Sequence, residues 1–357
     1  MKHLTENTDP VYNPKRSSAT DKFFLKLIRD ERDLPFIYLA LSITFTLIPL
    51  AVLLYMPFIS GWLWWVVAIA YLYLNNFYFK GPFGLMLHCT SHRAFFRKEY
   101  GALNHYLPWV LGPLFGQSPE TYYTHHIGMH HPENNMPEDE SCTMFYQRDS
   151  LADFGRYFTS FFFVGVYRLA GYFLRKNRKR LFYRSVRGEV LFLVMCIALC
   201  FVNAAATIVA FILPFLISRV IMMMGNWAQH AFIAANDPDN AYRNSITCIN
   251  TKYNHKCWND GYHISHHIKP NMHWTEHPVF FRNTVNEYAD NDAIVFDNIH
   301  FLHVFVYLVR KRYDLLAKHF VNINGRFADD EAIIEFLKKR TEAIPMGEFA
   351  RTTSVAA

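Results

Sequence analysis

The most apolar part of the chain is a stretch without a single charged side chain, residues 34–79. Pro57, Ser60 and Gly61 interrupt this stretch near its middle, and all three are turn-forming residues. An α-helix needs about 20 mainly apolar residues to cross the hydrocarbon core of a bilayer. The pattern therefore predicts two membrane-spanning helices, at about 34–56 and 62–79, joined by a short turn.

A second apolar stretch, residues 190–236, contains only one charged side chain, Arg219. It predicts two further spans, at about 184–203 and 205–226. Neither the turn between these spans nor the turn near 57–61 contains Lys or Arg, whereas the connections outside the two hairpins are rich in both. By the positive-inside rule, we expect those basic connections and both termini to lie in the cytosol.

Composition agrees with a membrane protein. The 357 residues are 52% hydrophobic and only 18% charged, against about 25% charged in ordinary soluble domains. The net charge of +6 is modest, and the basic residues flank the apolar stretches instead of forming one stripe, which argues against nucleic-acid binding. The six cysteines form no CxxC pair, so neither disulfides nor a cysteine-based metal site is expected.

The predicted fold class is an all-α integral membrane protein with four transmembrane helices, arranged as two hairpins under a cytosolic helical cap. The predicted regions are a cytosolic N-terminal tail (1–33), a membrane domain (34–282), and a cytosolic C-terminal helical region and tail (283–357). Lys80 marks the predicted end of the second span. The polar segments that carry most histidines follow the spans, so they are expected in the cap.

Histidines cluster in three of these polar segments. The clusters are His88 and His92; His126, His130 and His131; and His263, His266 and His267. Residues three or four apart share one face of a helix, so each segment can present several imidazole nitrogens to one side. Neutral imidazole is the commonest protein ligand for metals. A lone histidine is more often a surface or core residue, but three such groups predict a metal centre.

Asn226 and His230 share a helical face where the fourth predicted span ends. We count His230 as a ninth nitrogen ligand and Asn226 as a neighbour that holds a water. Nine ligands exceed the three or four that a single zinc ion takes from a protein, and are enough for two ions. Nitrogen-rich coordination suits iron, zinc or copper. The acidic loop 132–140 could hydrogen-bond to the ligands or simply be solvated.

Together, the spacings HxxxH, HxxxHH, NxxxH and HxxHH in a four-span chain resemble the membrane fatty acid desaturase and hydroxylase superfamily, over roughly residues 34–282. The resemblance implies two non-haem iron ions held by the nine histidines, with molecular oxygen as co-substrate. It also implies that the Asn226 side chain holds a water beside iron. The segment 258–267 is similar to the last histidine box of acyl-CoA desaturases, with Asp260 beside the ligands where those enzymes often have Glu.

Such enzymes use oxygen to remove hydrogen from an unactivated methylene group. We favour a fatty acyl desaturase. The HxxxH and HxxxHH spacings also occur in alkane monooxygenases, so alkane or fatty acid hydroxylation and fatty acid decarboxylation are alternatives within the superfamily. A histidine-rich metal transporter is the alternative from another class, but its ligands would lie inside the spans.

The expected substrate is an acyl lipid, a fatty acid or an acyl thioester. The sequence lacks the HPGG haem-binding motif of a fused cytochrome b5 domain, so we expect a separate electron donor of the ferredoxin, rubredoxin or cytochrome b5 type. The expected location is a multi-pass position in a bacterial inner membrane or the endoplasmic reticulum, in contact with membrane lipid and with the active site in the cytosol.

A few polar residues near these motifs have two interpretations. His273 and His277 are expected beside the metal ligands or at the surface. His125 is expected to miss the metals, because adjacent helical residues project about 100° apart. Arg219 could bind an acyl carboxylate or a headgroup, or extend to the membrane surface.

Overall fold

The structure is a computed structural model that describes residue 2, residues 6–14 and residues 16–345. The remaining residues of the two predicted terminal regions, including 346–357, lie outside the described residues. The chain divides into two units. The first unit is Met1–Val11, Met129–Arg168 and Ile221–Ala357, and the second is Tyr12–Gly128 and Leu169–Val220.

The described part is mostly helical, as predicted. The α-helices of the second unit are Ala19–Leu25, Leu34–Tyr55, Gly61–Tyr73, Lys80–His92, Thr121–His125 and Lys179–Thr207. Its shorter turns are the 3-10 segments Glu31–Asp33, Lys98–His105 and Gly112–Phe115, and the π-type segments Leu74–Phe79, Leu107–Leu111 and Ile208–Ile212. Helices Leu151–Arg175 and Leu213–Gln229 and the π-type turn His126–His130 each include residues of both units.

The first unit combines short helices with a small sheet. Its helices are His131–Glu133, Ala241–Asn244, Lys252–Lys256, His263–Ile268, His277–Asn283, Val285–Asp290, Phe301–Val309, Tyr313–His319, the 3-10 turn Ile323–Gly325, and Asp330–Arg340. Strands Ile246–Ile249 and Ile294–Asp297 pair in parallel, with Ile246 opposite Ile294. The described residues are therefore mostly helical, as predicted, with one small sheet that the sequence analysis did not predict. The cause is two short apolar segments, rich in β-branched residues and fully buried.

The first apolar stretch folds back at the predicted turn. Gly61 begins the second helix with φ of +57°, a conformation that glycine adopts without strain. Across the turn, the Trp64 indole donates to the Leu54 carbonyl at 3.0 Å. Helical structure continues beyond Phe79, because a π-type turn leads directly into helix Lys80–His92. Lys80 is buried and donates to the Ser218 hydroxyl at 2.7 Å.

The second apolar stretch also folds back where a turn was predicted. Asn203 interrupts the helix with extended φ and ψ of −158° and 103°. The rings of Phe192 and Phe215 then stack at 5.5 Å, whereas an unbroken helix would separate them by about 35 Å. Gly188 lets the first arm pack closely on a neighbouring turn, because a Cβ atom there would lie 1.5 Å from the Pro119 carbonyl oxygen.

Two helical stretches, Glu31–Tyr55 and Lys179–Gln229, are long and apolar enough to cross a membrane. Only 33% and 28% of their most apolar windows are buried. Large apolar side chains such as Phe45 and Phe201 are exposed along them. Monomeric soluble proteins rarely expose apolar surface on this scale, so these helices favour a membrane location. The arrangement of four spans stays a prediction.

A buried arginine fastens three segments of the first unit together. The Arg148 guanidinium is fully buried and, among the residues that the structure describes, donates only to main-chain carbonyls. Its partners are Ala231 at 2.9 Å, Met144 at 2.8 Å and Arg340 at 3.0 Å. A further bond reaches the Glu342 carbonyl at 2.6 Å. Because Ala231 follows His230, this network fixes the backbone beside a predicted metal ligand.

We expect Arg148→Met to lower the free energy of unfolding by at least about 3 kcal/mol, since several buried carbonyls lose their donor. Denaturant titration in detergent micelles measures this change. The matched control is Arg312→Met, which removes an exposed arginine of the same unit and should cost less than about 0.5 kcal/mol. Equal stability of the two variants would contradict the role given to Arg148.

Candidate metal centre

Three predicted ligands meet within the second unit. Helix Lys80–His92 carries His88 and His92 one turn apart, and His126 follows helix Thr121–His125. The Nε2 atoms of His92 and His126 are 3.0 Å apart. The rings of His88 and His126 have centroids 4.5 Å apart. The first box and the first histidine of the second box therefore lie together within this unit.

Four predicted ligands meet within the first unit. They are His130, His230, His263 and His267, each of which offers one nitrogen within 4.8 Å of the others. The Nε2 atom of His263 lies 3.1 Å from that of His230 and 3.0 Å from that of His267. We call these residues the four-histidine set. They come from three separate segments of the chain, which the fold of the first unit brings together.

The outer nitrogens of two members of this set are bound to acceptors. His130 Nδ1 faces an Asp139 carboxylate oxygen at 2.7 Å. His230 Nδ1 faces the Asn244 amide oxygen at 2.7 Å. An imidazole nitrogen beside an acceptor carries the ring proton, so Nε2 of each neutral ring presents its lone pair to the centre of the set. These are the orientations that metal ligation requires.

The distances within the set also suit a metal ion. Two nitrogen ligands at right angles, each about 2.1 Å from a metal, lie about 3.0 Å apart. Hydrogen bonds among the rings are a poorer explanation, because Nε2 of His263 faces two other Nε2 atoms and can carry only one proton. The four residues therefore fit a metal held by imidazole nitrogens.

Burial keeps two of these imidazoles in the form that binds metal. Burial, together with the neighbouring His130, lowers the pKa of His230 to about 4. Burial also holds the pKa of His267 well below its usual range, together with the surrounding histidines. At neutral pH both rings are uncharged, which leaves their lone pairs available to a cation.

His131 and His266 form a further close pair in the first unit. Their Nε2 atoms are 2.9 Å apart, and the ring centroids of His131 and His267 are 5.0 Å apart. Six of the nine predicted ligands thus lie near one another within this unit, and the other three lie together in the second unit.

The second box does not direct all its histidines to one set of neighbours. His126 lies with His88 and His92, whereas His130 belongs to the four-histidine set. The sequence analysis treated this box as a regular α-helical face. The structure has a π-type turn at His126–His130 instead, and i→i+5 hydrogen bonding changes the angular relation between residues on its two sides.

A family model described as fatty acid desaturase matches residues 61–297. The chain belongs to the fatty acid desaturase family. Comparison with curated proteins and with solved structures found no match. Membership implies oxidoreductase activity in lipid metabolism, with an acyl substrate and an electron donor, and the family is generally di-iron.

The structure shows partners of the predicted ligands that the sequence had left open. Asp139, in the acidic loop, is buried and also accepts from the Ser141 amide at 2.8 Å and hydroxyl at 2.7 Å. Asn244 donates through its amide nitrogen to the Asn134 and Pro238 carbonyls, so its oxygen faces His230. Asn244 was missed, because only the folded chain brings it to that ring.

The remaining predicted site residues differ in whether they contact the third histidine box. His277 is buried and its Nδ1 contacts the Ser265 hydroxyl at 2.7 Å, within the third box. His273, also buried, contacts Thr275. Asp260 directly precedes Gly261, and burial raises the pKa of its carboxyl to about 7. His125 belongs to neither histidine group found in the described residues.

Arg219 has an internal partner. Its guanidinium lies 3.4 Å from a Glu189 carboxylate oxygen and 3.1 Å from the Ser118 hydroxyl, and the side chain is buried. Neither interpretation from the sequence included this ion pair. The arginine and the glutamate come from the two arms of the second hairpin, so this ion pair links the two arms.

We expect Asp139→Asn to weaken metal binding about 10- to 100-fold. A carboxylate hydrogen-bonded to a ligating imidazole makes the ring more basic and fixes its orientation, and both effects are lost in the variant. Metal content after dialysis against graded chelator concentrations measures the affinity. Asp314→Asn, which removes an exposed carboxylate of the same unit, is the control and should match the unaltered protein. Unchanged affinity in Asp139→Asn would show that the His130 contact does not support a metal.

Proposed function

We propose that this protein is an oxygen-dependent, di-iron fatty acyl desaturase that introduces a double bond into an acyl chain. The observation that carries the proposal is the four-histidine set, whose inward nitrogens and outward acceptors suit a redox metal within a desaturase-family chain. All-nitrogen coordination without cysteine is compatible with iron.

The nine predicted ligands would divide between two irons. Within the first unit, His130, His230, His263 and His267 would hold one of them. When bound and reduced, the irons would supply the oxygen chemistry that attacks a methylene group. The chain's own task is to hold the imidazoles neutral, to orient them, and to position the acyl chain.

Asn226 is proposed to hold a water beside the metal. Its amide nitrogen donates to the Ser141 carbonyl at 2.9 Å and to the Tyr157 hydroxyl at 2.7 Å. These two bonds fix the orientation of the amide, so that its oxygen could accept a hydrogen bond from water. Asp260, next to the third box, is proposed as a partner of the ligand network.

A cavity in the second unit is consistent with an acyl substrate. Its volume is about 370 Å³, and it runs along helix Lys80–His92 past Leu87, Ser91 and Phe95. Ligand pockets commonly hold about 300–1,000 Å³. The lining is mixed, with apolar residues and hydroxyl groups, and it lies on the helix that carries the first box.

Exposed apolar helices support a multi-pass membrane position. We propose four spans at about 34–56, 62–79, 184–203 and 205–226. Both termini and the histidines would lie in the cytosol. A separate donor of the ferredoxin, rubredoxin or cytochrome b5 type would deliver electrons there. Phe201 and Trp62 are largely exposed, with 88% and 77% of their surface accessible. Both side chains would contact lipid.

Cells that express the protein and receive a deuterated long-chain fatty acid should form a product with one new double bond. The product should have lost deuterium from two adjacent carbons and kept its carboxyl group, as mass spectrometry can determine. Cells expressing His263→Ala should form none. An oxygenated chain, or a terminal alkene one carbon shorter, would reject desaturation and support hydroxylation or decarboxylation by the same centre.

Topology is tested by single cysteines in a variant whose six native cysteines are replaced by serine. Cysteines at Ser60 and Ala205, both exposed, should react with a membrane-impermeant reagent added from the non-cytosolic side, because both turns lack basic residues. A cysteine at Glu133 should react only after the membrane is opened. Labelling of Glu133 in sealed vesicles of that orientation would overturn the proposed cytosolic active site.

A further inference from the structure

The start of helix Lys179–Thr207 presents a basic groove in the second unit. The groove has a volume of about 680 Å³, and its lining contains Lys179, Arg180, Arg184 and Arg187. Spacings of three and four residues place the arginines on one side of the helix. The N-terminal end of a long helix also favours negative charge. Glu120 is the one carboxylate among the lining residues.

Most of this positive charge has no internal partner. Arg184 is paired with Glu120, and the Arg187 guanidinium lies over the Trp109 ring at 5.4 Å. In the described part of the chain, no carboxylate comes within ion-pair distance of Lys179, Arg180 or Arg187. Clustered cations of this kind attract and bind anions such as carboxylates and phosphates.

Glu120 is held in an unusual way. Its side chain is buried, and its carboxylate accepts from Arg184 Nε at 2.5 Å and from the Trp109 indole at 3.0 Å. Its backbone φ is +68°, in the left-handed region that residues other than glycine rarely adopt. Strain of this kind persists where surrounding contacts enforce it and is concentrated at functional sites.

The ion pair lies where two cavities share a wall. Glu120, Arg184 and His105 line the basic groove and also line the inner cavity along helix Lys80–His92. The groove is basic and open, whereas the inner cavity includes Leu87 and Phe95. An amphipathic molecule with an anionic end would match this order of surfaces.

We propose that the groove binds the anionic end of the acyl substrate, and that Glu120 occupies Arg184 as a competing internal anion until the substrate arrives. The carboxylate or phosphate of the substrate takes Arg184 from Glu120, and the chain then enters the inner cavity past the released pair. The inference rests on the proposed function for the acyl chain. It assigns the protein substrates with an acidic head group and excludes neutral alkanes as preferred ligands.

Binding is measured by equilibrium dialysis of the purified protein in an uncharged detergent, without reductant. The probes are hexadecyl phosphate, palmitate and hexadecanol. At least one of the two anions should bind about tenfold more tightly than hexadecanol, which corresponds to about 1.4 kcal/mol. The anion that binds more tightly identifies the head group as phosphate or carboxylate.

Two variants test the residues. Replacing both exposed arginines, Arg180→Gln with Arg187→Gln, should reduce anion affinity to that of hexadecanol. Arg175→Gln, an exposed arginine outside the groove, is the control and should bind normally. Glu120→Gln removes the internal competitor at nearly equal size. It should tighten anion binding and leave hexadecanol binding unchanged.

Three results would overturn the inference: equal affinity for hexadecanol and both anions, unchanged anion affinity in the double variant, or weaker anion binding by a folded Glu120→Gln protein. The thermal unfolding midpoint establishes folding, and the double surface variant decides the matter if Glu120→Gln does not fold. Charge-dependent binding without any oxidised lipid product would reject the proposed reaction but support the groove as an anion-binding site. Lipid oxidation with charge-independent binding would support the reaction and reject the anion-binding role of the groove.

Discussion

The convergence of neutral imidazole nitrogens is the constraint on which the first unit depends. His130 and His230 turn their lone pairs inward because their outer nitrogens donate to Asp139 and Asn244. Lone pairs that face one another without a cation repel, so a bound metal would stabilise the arrangement, and metal affinity would become part of folding stability. Asp139 in the acidic loop orients the His130 ring, and the Arg148 network fixes the backbone next to His230.

The chain combines an apolar exterior with unusually polar buried contacts. Helices Leu34–Tyr55 and Lys179–Thr207 expose large apolar side chains, while the buried Arg219 is paired with the part-buried Glu189 inside the second unit. Monomeric soluble proteins rarely expose apolar surface on this scale. A lipid environment explains both halves, because exposed apolar groups cost nothing there whereas an unpaired ion would be expensive.

Local signals in the sequence predicted the mostly helical fold and the histidines that the structure brings into two groups. The turns near Gly61 and Asn203 followed from breaks in apolar stretches, and the histidines followed from their spacing. What could not be predicted depends on contacts between distant segments. Asn244 reaches His230 only after the loop between them folds, and the strand at Ile246 is defined by its partner at Ile294, which lies 48 residues further along the chain. Periodicity describes one element at a time and carries no record of such partners.

The second histidine box shows how a small change of helical geometry divides a motif. The spacing of His126, His130 and His131 suggested one face, and an α-helix would have provided it. The π-type turn at His126–His130 changes the direction in which the later side chains project. His126 then lies with the first box in the second unit, while His130 joins His230 and the third box in the first unit. A continuous segment of chain can in this way supply ligands to two groups of histidines. Because π-type turns are less stable than regular helix and tend to persist at functional sites, this turn is best explained by the two groups that it serves.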